Sequence, residues 1–384
     1  MSSRRKLVLL GATGSIGESC LKVIRKHPDK LQLIGISAYS RDEKLASIAR
    51  EFDVKKVHLC KKPDSNPELP VQSELLVGPE MLCQLAAWSE ADIVLVAVVG
   101  AAGLAPTLAA LEAGTDVVLA NKESLVVGGE LVMQTASRTG AQILPADSEH
   151  NAVFQCIQGQ SDTSVDSIAL TASGGPFRDR PIDELQSVTP KEALCHPNWE
   201  MGPKITVDSA TMANKGLELI EAKWLFNLPP EKLHVLIHPP SIVHALVRFK
   251  DGCVLSQMSP PSMTFAIQNA LLYPERHPGV DESLNFNDSL NLQFYPPELS
   301  RYPCLKLAGD ALHQGGLAPL VFNAANEIAV AAFLSNRIGF GLISSIIDRT
   351  LNLFDYQPAQ SIEDLLSQDQ IARKLAEEEV LSSP

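Results

Sequence analysis

Over the first 145 residues, short runs of branched apolar residues alternate with stretches whose apolar positions recur every three to four residues. Six runs read as strands, at 6–10, 32–37, 56–59, 93–98, 116–120 and 142–145. Amphipathic stretches such as 15–26 and 42–52 read as the helices between them. Near-continuous apolar strands separated by helices predict a parallel sheet covered on both faces. After Asp147 the pattern changes. Strands at 167–171, 235–237 and 254–257 mix with helices and many Pro and Gly turns, which predicts an α+β domain. From about Tyr302 the spacing is helical, with helices expected near 303–314, 317–334, 341–354 and 361–380. The predicted fold class is therefore α/β in three parts. A Rossmann-like parallel-sheet domain covers 1–146, a central α+β domain 147–280, a linker 281–301 and a helical bundle 302–384. A length of 384 residues suits two or three domains at roughly 150 residues each.

Composition narrows the functional classes. Hydrophobic residues make up 45% and charged residues 20%, the balance of a globular protein. Lys and Arg number 32 against 45 Asp and Glu, a formal charge of −13. Such a surface repels nucleic acid and anionic lipid, so neither is expected as a partner. A small anion would need a locally basic pocket. Seven scattered cysteines without a CxxC pair read as reduced thiols, and a cytoplasmic location is expected. The start of the chain imitates a secretory signal, but only four apolar residues precede Gly11. The uncharged stretch 93–111 approaches membrane-spanning length; Gly100, Gly103 and Pro106 divide it into a strand and a helix.

The first strand runs into Gly11-Ala12-Thr13-Gly14-Ser15-Ile16-Gly17, a G-x-x-G-x-x-G loop before a helix. Glycines let the backbone turn and approach a pyrophosphate at the helix start. An NAD enzyme usually carries an acid at the end of the next strand, to hold the ribose hydroxyls. Here Ser40 and Arg41 are available, which suits a 2′-phosphate and favours NADP(H). Asp42 argues the other way unless it caps the following helix. Asp147 and Glu149 follow the strand at 142–145. If strand geometry persists, they point to one side and suit Mg²⁺ or Mn²⁺. Asp147 or Ser148 serves equally as a cap for a helix beginning near His150. Residues 208–223 read as one helix, with Asp208 and Ser209 competing for its N-cap. Asn214, Lys215, Glu218 and Glu221 then lie on neighbouring turns of one side, as an anion and metal site or as a solvated face of ion pairs. Ser173-Gly174-Gly175 offers a hydroxyl and backbone N–H groups to an anion. The loop from His196 through Trp199 and Gly202 to Lys204 reads as a mobile lid.

Taken together, GATGSIG (11–17), ANKES (120–124), ADSEHNAVFQ (146–155), TASGGPF (171–177) and HPNWEMGPKITVDSATMANKGLELIEA (196–222) strongly resemble the 1-deoxy-D-xylulose 5-phosphate reductoisomerase family. These segments are highly specific and cover about half the chain. The resemblance implies rearrangement of 1-deoxy-D-xylulose 5-phosphate, a phosphorylated sugar, and its reduction with NADPH to 2-C-methyl-D-erythritol 4-phosphate in non-mevalonate isoprenoid biosynthesis. It also implies Mg²⁺ or Mn²⁺ and a homodimer. By the same resemblance Asp147, Glu149 and Glu218 hold the metal. Ser173, Ser209, Asn214 and Lys215 hold the phosphate, and Ser148, Lys122 and His196 contact the substrate. Lys122, Glu149 and His196 form the catalytic set, with Lys122 stabilising oxyanion charge. Thr13, Gly14, Ser15, Ile16, Asn121, Glu123 and Gly202 bind the cofactor. The family often has a Gly-x-Asn-like element where this chain has Tyr39-Ser40-Arg41. The alternative is an NADP-linked dehydrogenase of a phosphorylated aldehyde that performs no rearrangement.

Overall fold

A computed structural model of the chain describes residues 4–63, 67–199 and 201–383. The elements begin β1 (Arg5–Leu10), α1 (Ser15–Lys26), β2 (Leu31–Ala38), α2 (Asp42–Phe52), β3 (Lys56–Leu59), β4 (Glu74–Val77) and α3 (Met81–Ala86). They continue with β5 (Ile93–Val96), α4 (Leu104–Glu112), β6 (Asp116–Leu119), α5 (Glu123–Thr139), β7 (Ile143–Pro145), α6 (Ser148–Ile157) and β8 (Val165–Ala172). Next come α7 (Pro190–Ala193), α8 (Pro203–Thr211), α9 (Ala213–Phe226), β9 (Leu233–Ile237), β10 (Val243–Phe249), β11 (Val254–Met258) and α10 (Met263–Leu272). The chain closes with α11 (Pro303–Gln314), α12 (Ala318–Leu334), α13 (Leu342–Leu353) and α14 (Ile362–Ser382). Two compact units result. The first contains 4–124, Val132–Asn151 and Ser262–Ser283; the second contains Leu125–Leu131, Ala152–Pro261 and 284–383.

The first unit is built on a seven-stranded parallel sheet in the order β4-β3-β2-β1-β5-β6-β7. Its central strands β1, from Leu7 on, and β5 are apolar and buried, as expected for a sheet covered on both faces. Strand order reverses between them, so their carboxyl ends frame the crevice where such folds take ligands. β4 was not anticipated, because four residues at an edge carry little periodic signal. Residues 93–111 divide as expected, into β5, a short 3-10 turn at Gly100–Gly103 and α4. Among the described residues, no helix is long and apolar enough to cross a membrane. Far along the chain, α10 returns to pack against α1. Arg5 Nη1 donates to the Leu271 carbonyl at 3.2 Å, and Asn151 Nδ2 donates to Asn269 Oδ1 at 3.1 Å.

The second unit has a four-stranded sheet in the order β11-β10-β8-β9. β8 and β9 run parallel, and the other neighbours are antiparallel. The single helix expected over 208–223 is instead two, α8 and α9, separated by Met212 in a left-handed conformation (φ 61°). Local hydroxyl chemistry accounts for the break: Thr211 Oγ1 accepts the Ala213 N–H at 3.2 Å, outside the helical ladder. The N-cap of α8 is Gly202, so Asp208 and Ser209 lie in the closing turns of α8 rather than at a helix start.

α12 is the hub of the second unit. It is buried on nearly all sides and packs against α8, α9, α11, α13 and α14. α9 meets α11 closely at Gly216, where an added Cβ would run into the Cβ of Ala308. Gly216→Ala is expected to destabilise the protein by about 1–3 kcal/mol through overpacking. Urea denaturation with an unchanged m-value would measure it, and wild-type stability would show that α9 can shift away from α11.

Candidate functional site

In the first unit the glycine loop follows its expected geometry. Gly11 has φ +92°, and a Cβ there would lie 2.5 Å from the Ala97 carbonyl oxygen. Gly17 packs α1 so closely on the loop that a Cβ would come within 2.5 Å of the Gly11 and Ala12 carbonyls. Ser37, at the end of β2, fixes the turn. Its carbonyl accepts from Gly11 and Ala12, and its Oγ accepts from Gly11 N at 3.0 Å. The N-cap of α1 is Gly14, which has no side chain to close off the first turn occupied by Ser15 and Ile16. Arg41 Nη1 and Lys44 Nζ both donate to the Thr13 carbonyl, at 3.1 and 3.2 Å. Ser40 and Arg41 are exposed beside them. Asp42, which left the cofactor preference open, accepts the Glu43 N–H at 2.8 Å and so serves its own helix, although Arg41 is the N-cap.

Asn121, at the carboxyl end of β6, straps two strand ends together. Its Nδ2 donates to the carbonyls of Val98 and Gly100 at 2.7 and 3.0 Å, and to Glu123 Oε2 at 2.9 Å. Its Oδ1 accepts from Ser124 N at 3.0 Å. The next residue, Lys122, is buried and paired with Asp147, Nζ to Oδ2 at 2.6 Å. Asp147 and Glu149 each present a carboxylate oxygen, the two within 4.8 Å of one another. They do so without persistent strand geometry. β7 ends at Pro145, α6 begins at Ser148, and Glu149 lies in its first turn, accepting from Ser148 Oγ at 2.6 Å. A strand-to-helix turn, rather than pleat alternation, sets their spacing.

In the second unit His196 is the organising side chain. Its Nδ1 accepts the backbone N–H of Asn198 at 3.2 Å and of Trp199 at 3.0 Å. The ring hydrogen therefore sits on Nε2, which lies 3.1 Å from both Ser173 Oγ and Ser209 Oγ. Ser173 belongs to a turn with Gly174 and Gly175 at positive φ. A Cβ on Gly175 would lie 2.7 Å from the Ser209 carbonyl, so α8 can approach the turn only over glycine. Arg178, which the sequence did not single out, secures the turn by donating to the Ser173 carbonyl at 2.8 Å. The loop after His196 is anchored where Asn198 Nδ2 donates to the Pro239 carbonyl and to Ser241 Oγ, at 2.7 and 2.9 Å. Trp199 meets the His244 ring edge-on, and Gly202 opens α8.

On α9, Asn214 and Lys215 both engage the carboxylate of Glu218, one on each oxygen. Lys215 is 3% exposed and Glu218 1%, so this is a buried face and not a solvated one. Glu221, one turn on, is also buried. A third buried carboxylate, Asp208, lies inside α8 and not at the helix cap that the sequence suggests. It pairs with Lys204 at 2.9 Å and accepts from Asn326 of α12 at 2.8 Å.

Burial pushes the His196 imidazole down to about 4. A folded value below the free one means that unfolded chains take up the proton first as pH falls. The stabilisation from neutral His196 is then complete above the free value of 6.5 and is lost as pH falls from there toward 4. Nitrogen-detected NMR is expected to show a neutral Nε2–H tautomer with a midpoint near 4. A midpoint at the free value, or an Nδ1–H tautomer, would overturn the assignment.

Residues 7–129 match the family model described as 1-deoxy-D-xylulose 5-phosphate reductoisomerase; residues 143–226 and 258–375 match the two C-terminal domain models of the same enzyme. Among curated relatives, the 1-deoxy-D-xylulose 5-phosphate reductoisomerase of Thermodesulfovibrio yellowstonii is 47% identical over 378 residues, covering 98% of this chain and 99% of that protein. That of Ralstonia pickettii is 48% identical over 381 residues, covering 97% and 96%. The Zymomonas mobilis enzyme, solved in complex with NADPH, superposes with a TM-score of 0.91 at 40% identity, covering 99% of this chain and all of that one. A reductoisomerase solved with NADPH, fosmidomycin and magnesium gives 0.91 at 42%, covering 98% of each. The chain belongs to the 1-deoxy-D-xylulose 5-phosphate reductoisomerase family.

Proposed function

We propose that the protein uses NADPH and a divalent cation to convert 1-deoxy-D-xylulose 5-phosphate to 2-C-methyl-D-erythritol 4-phosphate, a step of non-mevalonate isoprenoid biosynthesis. One observation carries the reading: within an acidic chain, the imidazole of His196 gathers Ser173 and Ser209 around a single N–H. Because the ring donates to the serine oxygens, their own hydrogens are left to donate to an anion. Asn214 and Lys215, in the first turn of α9, add an amide and a cation suited to the phosphate. Phosphate held in this way lies remote from the reacting carbons and fixes the substrate's register.

Asp147, Glu149 and Glu218 are the proposed metal ligands. An all-oxygen, carboxylate donor set fits Mg²⁺ and Mn²⁺ alike. When bound, the cation would polarise the substrate's carbonyl and acidify its hydroxyl, while NADPH supplies the hydride. The chain's own groups do the rest. Lys122 Nζ, oriented by Asp147, donates to the oxygen on which negative charge develops. The Glu149 carboxylate is placed to take up a proton, and Ser148, which donates to it, contacts the substrate. Thr13, Gly14, Ser15, Ile16, Ser40, Arg41, Asn121, Glu123 and Gly202 bind NADPH. In this division of labour residues 1–146 hold the cofactor together with Gly202, 147–280 hold the metal and, with Lys122, the substrate, and 302–384 form the helical domain. A dehydrogenase without rearrangement would leave the acidic ligand set unexplained.

Two further assignments complete the reading. A cytoplasmic location agrees with seven free cysteines. A homodimer is supported by β11, an edge strand whose Val254 and Leu255 are 50% and 44% exposed. An unpaired apolar edge is a template for a second copy.

NADPH oxidation is expected only when the deoxypentulose phosphate is supplied, to stop with EDTA and to return with Mg²⁺ or Mn²⁺; NMR of the product decides whether the skeleton has rearranged. Glu218→Gln is expected to lower kcat by about 100-fold or more, the scale of a disrupted metal shell, with NADPH affinity retained. Near-normal turnover would remove Glu218 from the ligand set. Leu255→Lys is expected to yield monomers in sedimentation velocity, and an unchanged dimer would move the interface away from β11.

A further inference from the structure

A nucleotide 2′-phosphate carries nearly two negative charges, and a −13 chain must oppose its own field to hold one. Where an NAD enzyme places an acid, at the carboxyl end of β2, this chain presents Tyr39, Ser40 and Arg41. The one nearby hydroxyl from within β2, Ser37, is already committed to the glycine loop. Parallel pairing of β2 with β3 brings a second strand end to the same place. Leu59 lies opposite Ala38, and Lys61 N donates to the Tyr39 carbonyl at 2.8 Å. From there the Lys61 ammonium sits 5.0 Å from the centre of the Tyr39 ring. Tyr39 is 63% exposed, a large surface to leave in water for an aromatic residue with no core to fill.

The cations at this edge are not equivalent. Lys44 is neutralised by Glu18 at 2.5 Å. Arg41 reaches the Thr13 carbonyl through one nitrogen, and among the described residues neither it nor Lys61 is paired with a carboxylate. Two uncompensated cations therefore flank the end of β2, one from each side. We propose that Lys61 is a specificity-determining residue that, with Arg41, binds the 2′-phosphomonoester of the cofactor's adenosine, and that Tyr39 positions its ammonium by a cation–π contact. Sequence spacing hides this role, because Lys61 follows β3 and only strand order places it beside β2.

The inference rests on the NADPH reading, so the experiment separates them. Binding of NADPH and of NADH is measured by calorimetry, without substrate or metal, for the wild type, Lys61→Ala, Lys61→Arg and the neighbouring control Lys62→Ala. Lys61→Ala is expected to weaken NADPH about tenfold, the scale of one lost charge-assisted contact. NADH affinity is expected to hold within about twofold, the margin left to a group making no contact. Lys61→Arg should keep most of the preference, and Lys62→Ala should keep all of it. Tyr39→Ala should lower the NADPH-to-NADH ratio part of the way. Equal weakening of both cofactors by Lys61→Ala, or of neither, overturns the proposal, as would an equal effect of Lys62→Ala. Turnover of the deoxypentulose phosphate by the wild type is scored separately: its absence would end the functional reading and leave the binding ratio to judge Lys61.

Discussion

A charge removed from water must find an opposite charge, and the functional segments of this chain are organised around that requirement. Buried Lys122 pairs with Asp147, buried Asp208 with the half-buried Lys204, and Lys215 with Glu218, both buried. Removing one partner of a buried pair is costly because it leaves the other charge less well compensated. Apolar residues would pack as well in most of these places. Paired charges instead give fixed donors and acceptors whose orientation is set before a ligand arrives, which is what electrostatic stabilisation of a reacting centre needs. In the pairs Lys122–Asp147 and Lys215–Glu218 each side chain fixes the orientation of the other, so the same contact serves folding and placement.

The glycines form the complementary device. Gly17 and Gly175 sit where two backbones meet too closely for a Cβ, and Gly216 sits where a Cβ would strike that of Ala308. The first seats α1 on the cofactor loop, the second lets α8 approach the serine turn, and the third brings α9 against α11. Side chains that carry charge or hydroxyls are thus delivered by close contacts that tolerate little adjustment. Asn121 and Asn198 act similarly through their amides, holding carbonyl groups from neighbouring loops.

Much of this was legible along the chain. The parallel sheet announced itself through branched apolar runs, and β3 falls on its expected residues because a four-residue buried strand bounded by charges admits few alternatives. The terminal helices α11 to α14 likewise keep their expected places. What escaped was set by geometry that periodicity does not encode. The break at Met212 carries no glycine or proline to mark it and follows from one threonine hydroxyl. β10 was not anticipated, since its length reflects pairing with β8 and β11 on both sides. Residue type singles out Asp147 and Glu149, but a strand-to-helix turn, not pleat alternation, brings their carboxylates near one another. The convergence of His196, Ser173 and Ser209 joins residues up to 36 positions apart, and only the folded chain shows that one ring nitrogen serves two hydroxyls.

The interruption at Met212 has a consequence for electrostatics. Had 203–226 been one continuous rod, Asn214 and Lys215 would lie in its middle, where successive peptide dipoles cancel head to tail. Ending α8 and restarting the coil puts a fresh positive pole at these two residues, worth about half an elementary charge. A left-handed residue costs of order 1–3 kcal/mol, so the chain spends folding stability on a second cationic terminus within a few residues of Ser209.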